Sequence, residues 1–323
     1  MTAQPAKSAR NPEHQRDDHS REEPRRRDAA RAEGAERRSG STRAKRAVET
    51  GIRPGGVGIA IVGGGKIGEA LLSGLLRGHY LRDEIVVVEK HPERAAYLTA
   101  KHGACTVDIA TAAQAARTIL IAVKPQDIEA LLAELAPHVG SSHVVVSVAA
   151  GVTTAHIEAV LGADVPVVRC MPNTPALVDE AMTAISPGVH ATEGHLAVAE
   201  KLLAAVGKVV RVPESQLDAV TALSGSGPAY FFYLVEAMID AGILLGLPRA
   251  VAAELIVQTA IGSAVMLRDS GQHPVQLREA VTSPGGTTIA AIRELENHGV
   301  RAALLAALEA ARDRSRELAA EAG

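Results

Sequence analysis

The sequence predicts an α/β protein in which a doubly wound parallel sheet is followed by an all-α helical domain. Three observations carry this. Short apolar runs alternate with helix-spaced stretches between residues 57 and 148, a glycine-rich turn closes the first run, and long Ala/Leu-rich segments take over after Pro213. Strands that alternate with helices need crossover connections, which place the strands parallel and the helices on the sheet faces.

Residues 1–56 precede the predicted sheet and are expected to be disordered. From Met1 to Thr50 there is no Ile, Leu, Phe, Tyr or Trp, so the stretch cannot bury enough apolar area to offset its ordering entropy. It holds 13 Lys+Arg against 9 Asp+Glu, leaving 21 against 28 for the rest of a chain that carries 34 and 37 in all. Arg25–Arg27 suggest a nucleic-acid arm or a transit peptide, but the interspersed acids argue against both. A solvated tail, or a start codon assigned too far upstream, accounts for it better. The acidic remainder is a poor partner for nucleic acid or an anionic membrane.

The first domain is expected over residues 57–213. Val57–Val62 reads as a buried strand ending at Gly63, and Lys66–Arg77 carries Ile67, Ala70, Leu71, Leu75 and Leu76 at helical spacing. Ile85–Val88 is a second strand and Pro92–Lys101 a second helix. Thr118–Val123 is followed by a helix through Ile128–Leu135, and Val144–Val148 is the next strand.

The second domain is expected over residues 214–323. Its helical segments are Leu217–Leu223, Pro228–Leu245, Arg249–Leu267, Pro274–Val281, Thr287–Asn297 and Val300–Ala320, separated by short Gly, Pro and Ser breaks. Four of the chain's six aromatics stand together at Tyr230–Tyr233 and tryptophan is absent, so the core elsewhere is Ala, Val, Leu and Ile.

Composition also removes some classes of function. The two cysteines, Cys105 and Cys170, make no CxxC or Cys/His cluster, so neither a metal site nor a disulfide framework is expected. No apolar run reaches the roughly 18 residues that would suggest a membrane span. No secretory signal is apparent, and a cytoplasmic enzyme is expected.

Gly63-Gly64-Gly65-Lys66-Ile67-Gly68 fits GxGxxG at Gly63, Gly65 and Gly68. Alone the motif is weak. Here it follows a strand, opens a helix and is followed by Glu89 at the end of the second strand, the context of a Rossmann-type dinucleotide fingerprint. Glycines let the backbone approach a pyrophosphate, whose charge then meets free N–H groups at a helix N-terminus. The acid and base at Glu89 and Lys90 pull in opposite directions. Glu89 would bond the ribose of NADH, whereas Lys90, with Arg94, would neutralise the 2′-phosphate of NADPH; the expectation leans to NADPH, with NADH open. Ala122-Val123-Lys124-Pro125 closes the third strand on the ligand side of such a sheet. Ala149, Ala150 and Gly151 close the next one with small residues that would admit a flat ring.

Further stretches narrow the field. They are Arg169-Cys170-Met171-Pro172-Asn173-Thr174-Pro175, Leu223-Ser224-Gly225-Ser226-Gly227-Pro228-Ala229-Tyr230, Gly246-Leu247-Pro248-Arg249 and Ser283-Pro284-Gly285-Gly286-Thr287-Thr288. In that order, behind the glycine fingerprint and the Ala-Val-Lys-Pro turn, they resemble pyrroline-5-carboxylate reductase, from about Gly58 to the last helix. The resemblance implies a helical domain interlocked with its twin in a homodimer, dimers assembled into a larger ring, and an active site shared between protomers. It implies hydride transfer from NAD(P)H to 1-pyrroline-5-carboxylate, giving L-proline in the last step of proline biosynthesis. Gly64, Lys66, Ile67, Val123, Lys124 and Ala150 match cofactor contacts, and Glu214, Thr287 and Thr288 match substrate contacts. Glu89 stands where some members place a serine against the 2′-phosphate, and Ala280 where some place an asparagine.

The chemistry can be sketched from these residues. Ser283, Gly285 and Gly286 precede a helix start whose N–H groups suit the substrate carboxylate, although Ser283 or Thr287 as a plain helix cap is the alternative. Thr288 is the candidate catalytic residue, because a hydroxyl can donate to and accept from the ring nitrogen. Glu214 would hold a water or favour the iminium by its charge, unless that turn is a helix start capped by a neighbour such as Ser215. None of the twelve histidines stands out as a catalyst.

Two rivals remain at this point. A 3-hydroxyacid-type dehydrogenase would want a lysine over the substrate, and none lies between Glu214 and Gly299. A non-enzymatic NAD(P)-binding sensor would not need the Ser283–Thr288 turn.

Overall fold

The computed structural model describes residues 58–78, 80–162 and 164–322; the expected disorder of residues 1–56 and the start of the first strand at Val57 lie outside them. The described strands are β1 (Ile59–Val62), β2 (Ile85–Val88), β3 (Cys105–Thr106), β4 (Thr118–Ile121), β5 (Val144–Ser147), β6 (Val167–Met171), β7 (Ala181–Pro187) and β8 (Gly207–Arg211). They form one sheet in the order β3-β2-β1-β4-β5-β6-β7-β8. β1 pairs in parallel with β2 on one side and β4 on the other, so the chain reverses its direction of growth there. That reversal opens a crevice at the C-terminal strand ends, which is where such sheets bind ligands.

The sheet departs from a purely parallel one at its far edge. β6 and β7 pair antiparallel, and β8 follows β7 in parallel. The 3₁₀ turn Thr174–Val178 returns the chain directly from β6 to β7 without a crossover helix, and a short return can only give an antiparallel neighbour. The strand expected to reach Val123 ends at Ile121 and that expected to reach Val148 ends at Ser147, because both carry on into the turns that line the crevice.

Helices cover both faces: α1 (Lys66–Gly78), α2 (Pro92–His102), α3 (Ile109–Ala115), α4 (Ile128–Leu135), α5 (Thr154–Leu161) and α6 (Glu193–Leu203). On one side Leu71, Leu75 and Leu98 pack with Ile61, Leu120, Val146 and Cys170 of the strands, all at most 1% exposed. Full burial of each such side chain contributes roughly 1.5–3 kcal/mol, which fixes the strand ends bearing the crevice.

From Glu214 onward the described chain is helical: α7 (Leu217–Val220), a π turn (Thr221–Gly225), α8 (Gly227–Leu244), α9 (Arg249–Asp269), α10 (Pro274–Ala280), α11 (Thr287–Asn297) and α12 (Val300–Ala322). The segment expected as one helix over Leu217–Leu223 therefore widens into the π turn, where Ser226 N–H reaches back to Thr221 O at 2.8 Å. Few side chains here are buried. Phe231, Phe232 and Tyr233 are 67–71% exposed, and Leu244, Leu255 and Ile261 are exposed as well. Glu214–Leu244 and Arg249–Asp269 are long and apolar enough to cross a membrane by length and composition. An uninterrupted apolar run is a stricter test than mean hydropathy, because polar residues scattered among Ala, Ile and Leu break the run without lowering the mean much.

Candidate cofactor and substrate site

At the end of β1 the chain turns at Gly63, whose φ of 102° suits glycine. Gly63 N–H donates to Val88 O at 2.9 Å, and a Cβ there would stand 2.8 Å from the Ala122 carbonyl. Gly68, in the first turn of α1, passes the loop so closely that a Cβ would stand 1.9 Å from Gly63 O. Gly65 has nothing within 4 Å of where a Cβ would be. One glycine therefore makes the turn, one leaves the approach open and one packs the helix on the strand, with the N-terminus of α1 (Lys66, Ile67) directed at the loop.

The loop opens on a cavity of about 450 Å³ lined in part by Gly63, Gly65, Glu89, Lys90, Val123 and Leu131. Ala122 borders the same cavity, its N–H donated to Val62 O at 2.7 Å, and exposed Lys124 leads into the 3₁₀ turn Pro125–Asp127. The cradle and the cavity fit a dinucleotide: backbone amides at a helix start for the pyrophosphate, apolar walls for a base, and carboxylate oxygens for ribose hydroxyls.

The charged residues around the loop are held by one another. Glu89 Oε2 accepts from Gly64 N–H and Glu89 Oε1 from His91 N–H, each at 2.9 Å. Lys90 Nζ donates to Asp127 Oδ1 at 2.6 Å, bridging the ends of β2 and β4. Arg94 donates from Nε to Gly64 O at 2.6 Å and from Nη2 to Glu69. Burial alone would raise the Glu69 carboxyl, but hydrogen bonds with His102, Lys101 and Arg94 hold it down at about 2. Both cations expected to meet a 2′-phosphate are thus already engaged.

The turn after β5 is formed of small residues. Ala149 is buried and its N–H donates to Ser147 Oγ at 3.3 Å, while Ala150 is exposed. Gly151 has a φ of 78°, and a Cβ there would stand 3.8 Å from Ala319 of α12. The last turns of α12 therefore border this end of the crevice.

Glu214 lies between the sheet and the helices and carries three donors. Thr154 gives its N–H at 2.8 Å and its Oγ1–H at 2.7 Å, and Arg169 Nη1 donates at 3.1 Å. Burial by itself would raise the Glu214 carboxyl; the bonds from Thr154 and Arg169 outweigh it and hold the carboxyl below the usual range. Arg169 and Thr154 went unassigned from sequence, although an arginine inside Val-Val-Arg-Cys-Met was a signal, since a buried arginine needs an acid partner. Asn173 was likewise seen only within its motif. Its Nδ2 donates to Ser224 O at 3.1 Å and its Oδ1 accepts from Met182 N–H at 3.0 Å, tying the turn after β6 to the π turn.

The Ser283–Thr288 turn stands apart from these groups within one chain: none of its residues lines the cofactor cavity, and α11 packs chiefly on α12. Gly285 has a φ of 68°, Gly286 N–H donates to Ser283 O at 3.1 Å, and Gly286 is the N-cap of α11 with no side-chain cap. Neither Ser283 nor Thr287 takes the capping role, which leaves the amides of the first turn, at Thr287 and Thr288, without a side-chain acceptor. Among the described residues no group of three or more His, Cys, Asp or Glu is placed to hold a metal ion.

Comparison with known proteins matches residues 214–318 to the family model of pyrroline-5-carboxylate reductase dimerisation, and residues 58–151 to that of the coenzyme F420-dependent NADP oxidoreductases. A pyrroline-5-carboxylate reductase of Mycobacterium tuberculosis is 47% identical over 80% of this chain and 96% of its own length; one of Corynebacterium melassecola is 44% identical over 80% and 98%. Among solved structures, a pyrroline-5-carboxylate reductase from Coxiella burnetii superposes with a TM-score of 0.77 at 37% identity, covering 81% of this chain and 98% of that one. The Plasmodium falciparum pyrroline carboxylate reductase with NADP bound gives 0.74 at 26% identity, covering 82% and 99%.

Proposed function

The chain belongs to the pyrroline-5-carboxylate reductase family, and on that premise we propose that it reduces 1-pyrroline-5-carboxylate to L-proline with NADH or NADPH. The observation that carries this is the glycine cradle at the head of α1, opening on a cavity of about 450 Å³ in a chain 47% identical to a named reductase over nearly the whole of that protein.

When bound, the reduced nicotinamide supplies a hydride to the imine carbon. The protonated imine thereby becomes the ring amine, so one hydride and one proton enter the substrate. The glycine loop holds the pyrophosphate through its amides and the N-terminus of α1, with Lys66, Ile67, Val123 and Lys124 around it. Ala149 and Ala150 leave room for the flat ring. Ser283, Gly285, Gly286 and Thr287 offer the start of α11 to the substrate carboxylate, and the lack of a side-chain cap there supports that use. Thr288 presents its hydroxyl to the ring nitrogen and serves it as acceptor before hydride transfer and as donor or acceptor after it. Glu214, held ionised by its three donors, favours the iminium by its charge. Orientation of this kind is worth roughly 7–11 kcal/mol, which is why no strong general acid is needed.

We place the boundary between the cofactor domain and the helical domain at residues 213 and 214, after β8 has ended. The exposed apolar surface of α8 and α9 supports a homodimer, in which the partner brings a Ser283–Thr288 turn to this crevice, and dimers gather into a larger ring. The setting is the cytoplasm. Adding pyrroline-5-carboxylate to the purified chain with NADH or NADPH oxidises the cofactor and yields proline; a chain that binds cofactor yet oxidises none would overturn the assignment.

A further inference from the structure

We propose that this chain selects NADH over NADPH, and that Glu89, immobilised by two backbone amides, is the residue that does so. This rests on the reductase assignment only for the presence of a nicotinamide cofactor. The two cofactors differ by one phosphate on the adenosine ribose, and in a doubly wound sheet that ribose sits at the end of the second strand. Glu89 occupies that position and lines the cavity.

Its carboxylate is fixed in place. Gly64 N–H and His91 N–H each hold one oxygen at 2.9 Å, so the side chain cannot swing away without leaving two amides short of an acceptor. The lone pairs not used by those amides can accept from ribose hydroxyls. A 2′-phosphate brings negative charge and no matching donor to the same place.

Cations nearby could offset this, but they are committed. Lys90 is bonded to Asp127, whose carboxyl is lowered by that bond first and by the neighbouring charges of Lys90, Lys124 and His91 after it. Arg94 is spent on Gly64 O, Gly65 O and Glu69. Of the titratable groups left on the cavity wall, one cation, Lys124, and one acid, Glu134, balance in charge, with His91 as the third. The far charges nearly cancel, and the nearest fixed charge decides.

Isothermal titration of the full-length chain with each cofactor tests this. NADH is expected to bind about 10- to 100-fold tighter than NADPH, and the gap narrows as salt is raised because a phosphate–carboxylate repulsion is screened. Glu89→Gln, which keeps an acceptor for Gly64 and removes the charge, brings the two affinities to within about threefold. Asp127→Asn frees Lys90 and strengthens NADPH more than NADH, which narrows the gap between them. NADPH binding as tightly as NADH to the unaltered chain overturns the proposal. So does a Glu89→Gln chain that loses affinity for both cofactors equally, which would mark Glu89 as a brace for the loop alone. Binding of neither cofactor defeats this proposal and the reductase assignment together, whereas a clear NADH preference without reduction of pyrroline-5-carboxylate defeats only the latter.

Discussion

Glu214 and Arg169 meet at 3.1 Å between Oε1 and Nη1, with the arginine side chain 8% exposed and the carboxylate 28%. The pair joins the first residue of the helical half to β6 in the sheet, and Thr154 at the start of α5 adds two more bonds to the same carboxylate. Deleting the acid strands a buried guanidinium. Glu214→Ala is therefore expected to cost about 2–4 kcal/mol of stability, measured as a drop in the urea midpoint at constant slope. Replacing Glu214 and Arg169 together by apolar residues of similar size costs less than Glu214→Ala alone. Equal losses in the two variants would show that the stranded charge is not the cause.

Glu69 gives the stability an acid limb. Its folded-state carboxyl, about 2, lies below its ordinary value of 4.5, so its contribution is complete above about 4.5 and is lost as pH falls from there towards 2. Melting temperature should decline across that window, and Glu69→Gln should flatten the decline while lowering the plateau near neutral pH. A variant with the same acid slope as the parent chain would remove Glu69 from the account.

Two glycines predict losses of different size for one methyl group. Gly68→Ala places a carbon 1.9 Å from the Gly63 carbonyl oxygen, and backbone must move to admit it. Cofactor affinity should fall by at least about tenfold and stability by roughly 1–3 kcal/mol. Gly225→Ala meets the terminal methyl of Met171 at 2.5 Å, which a methionine can turn aside, so the loss there should stay under about 1.5 kcal/mol. Thermal melts and cofactor titration of the two variants side by side check the contrast.

Thr288→Ala should lower turnover by about 10- to 1,000-fold, bracketing one positioned hydrogen bond, while NADH affinity stays as it was because Thr288 does not line the cofactor cavity. Thr288→Ser, which retains the hydroxyl, should recover most of the rate. Unchanged kinetics in the alanine variant would take Thr288 out of the reaction.

What could be read from the sequence followed what is local in the chain. β1, β2, β4 and β5 are apolar runs closed by glycine, acid or Lys-Pro, and the fingerprint from Gly63 to Gly68 needs only its own residues to be legible. β3, β6, β7 and β8 were not predicted: β3 is two residues long, β6 carries an arginine within its apolar run, β7 follows a tight return, and β8, Gly-Lys-Val-Val-Arg, is half exposed at an edge, where the apolar signal is diluted. The π turn has no period of its own in sequence. The bonds that define the site are long in sequence: Glu89 to Gly64 spans 25 residues, Arg94 to Gly64 spans 30 and Thr154 to Glu214 spans 60. Pattern finds Glu89, Arg94 and Glu214, but only the fold shows which partner has already claimed each. For the Ser283–Thr288 turn, the helix start suggested an anion, and family resemblance supplied which anion.

Cys170 sits on β6 in the middle of the sheet's packed face, 1% exposed, and its burial pushes the thiol well above the ordinary range. A thiol so placed is inert to alkylating reagents until the strands around it part. With Cys105 replaced by serine, the rate of labelling becomes a stopwatch on the opening of the sheet. Ligands that grip the strand ends would slow it in proportion to how firmly they hold, so a single native sulfur can rank bound dinucleotides without any turnover being measured.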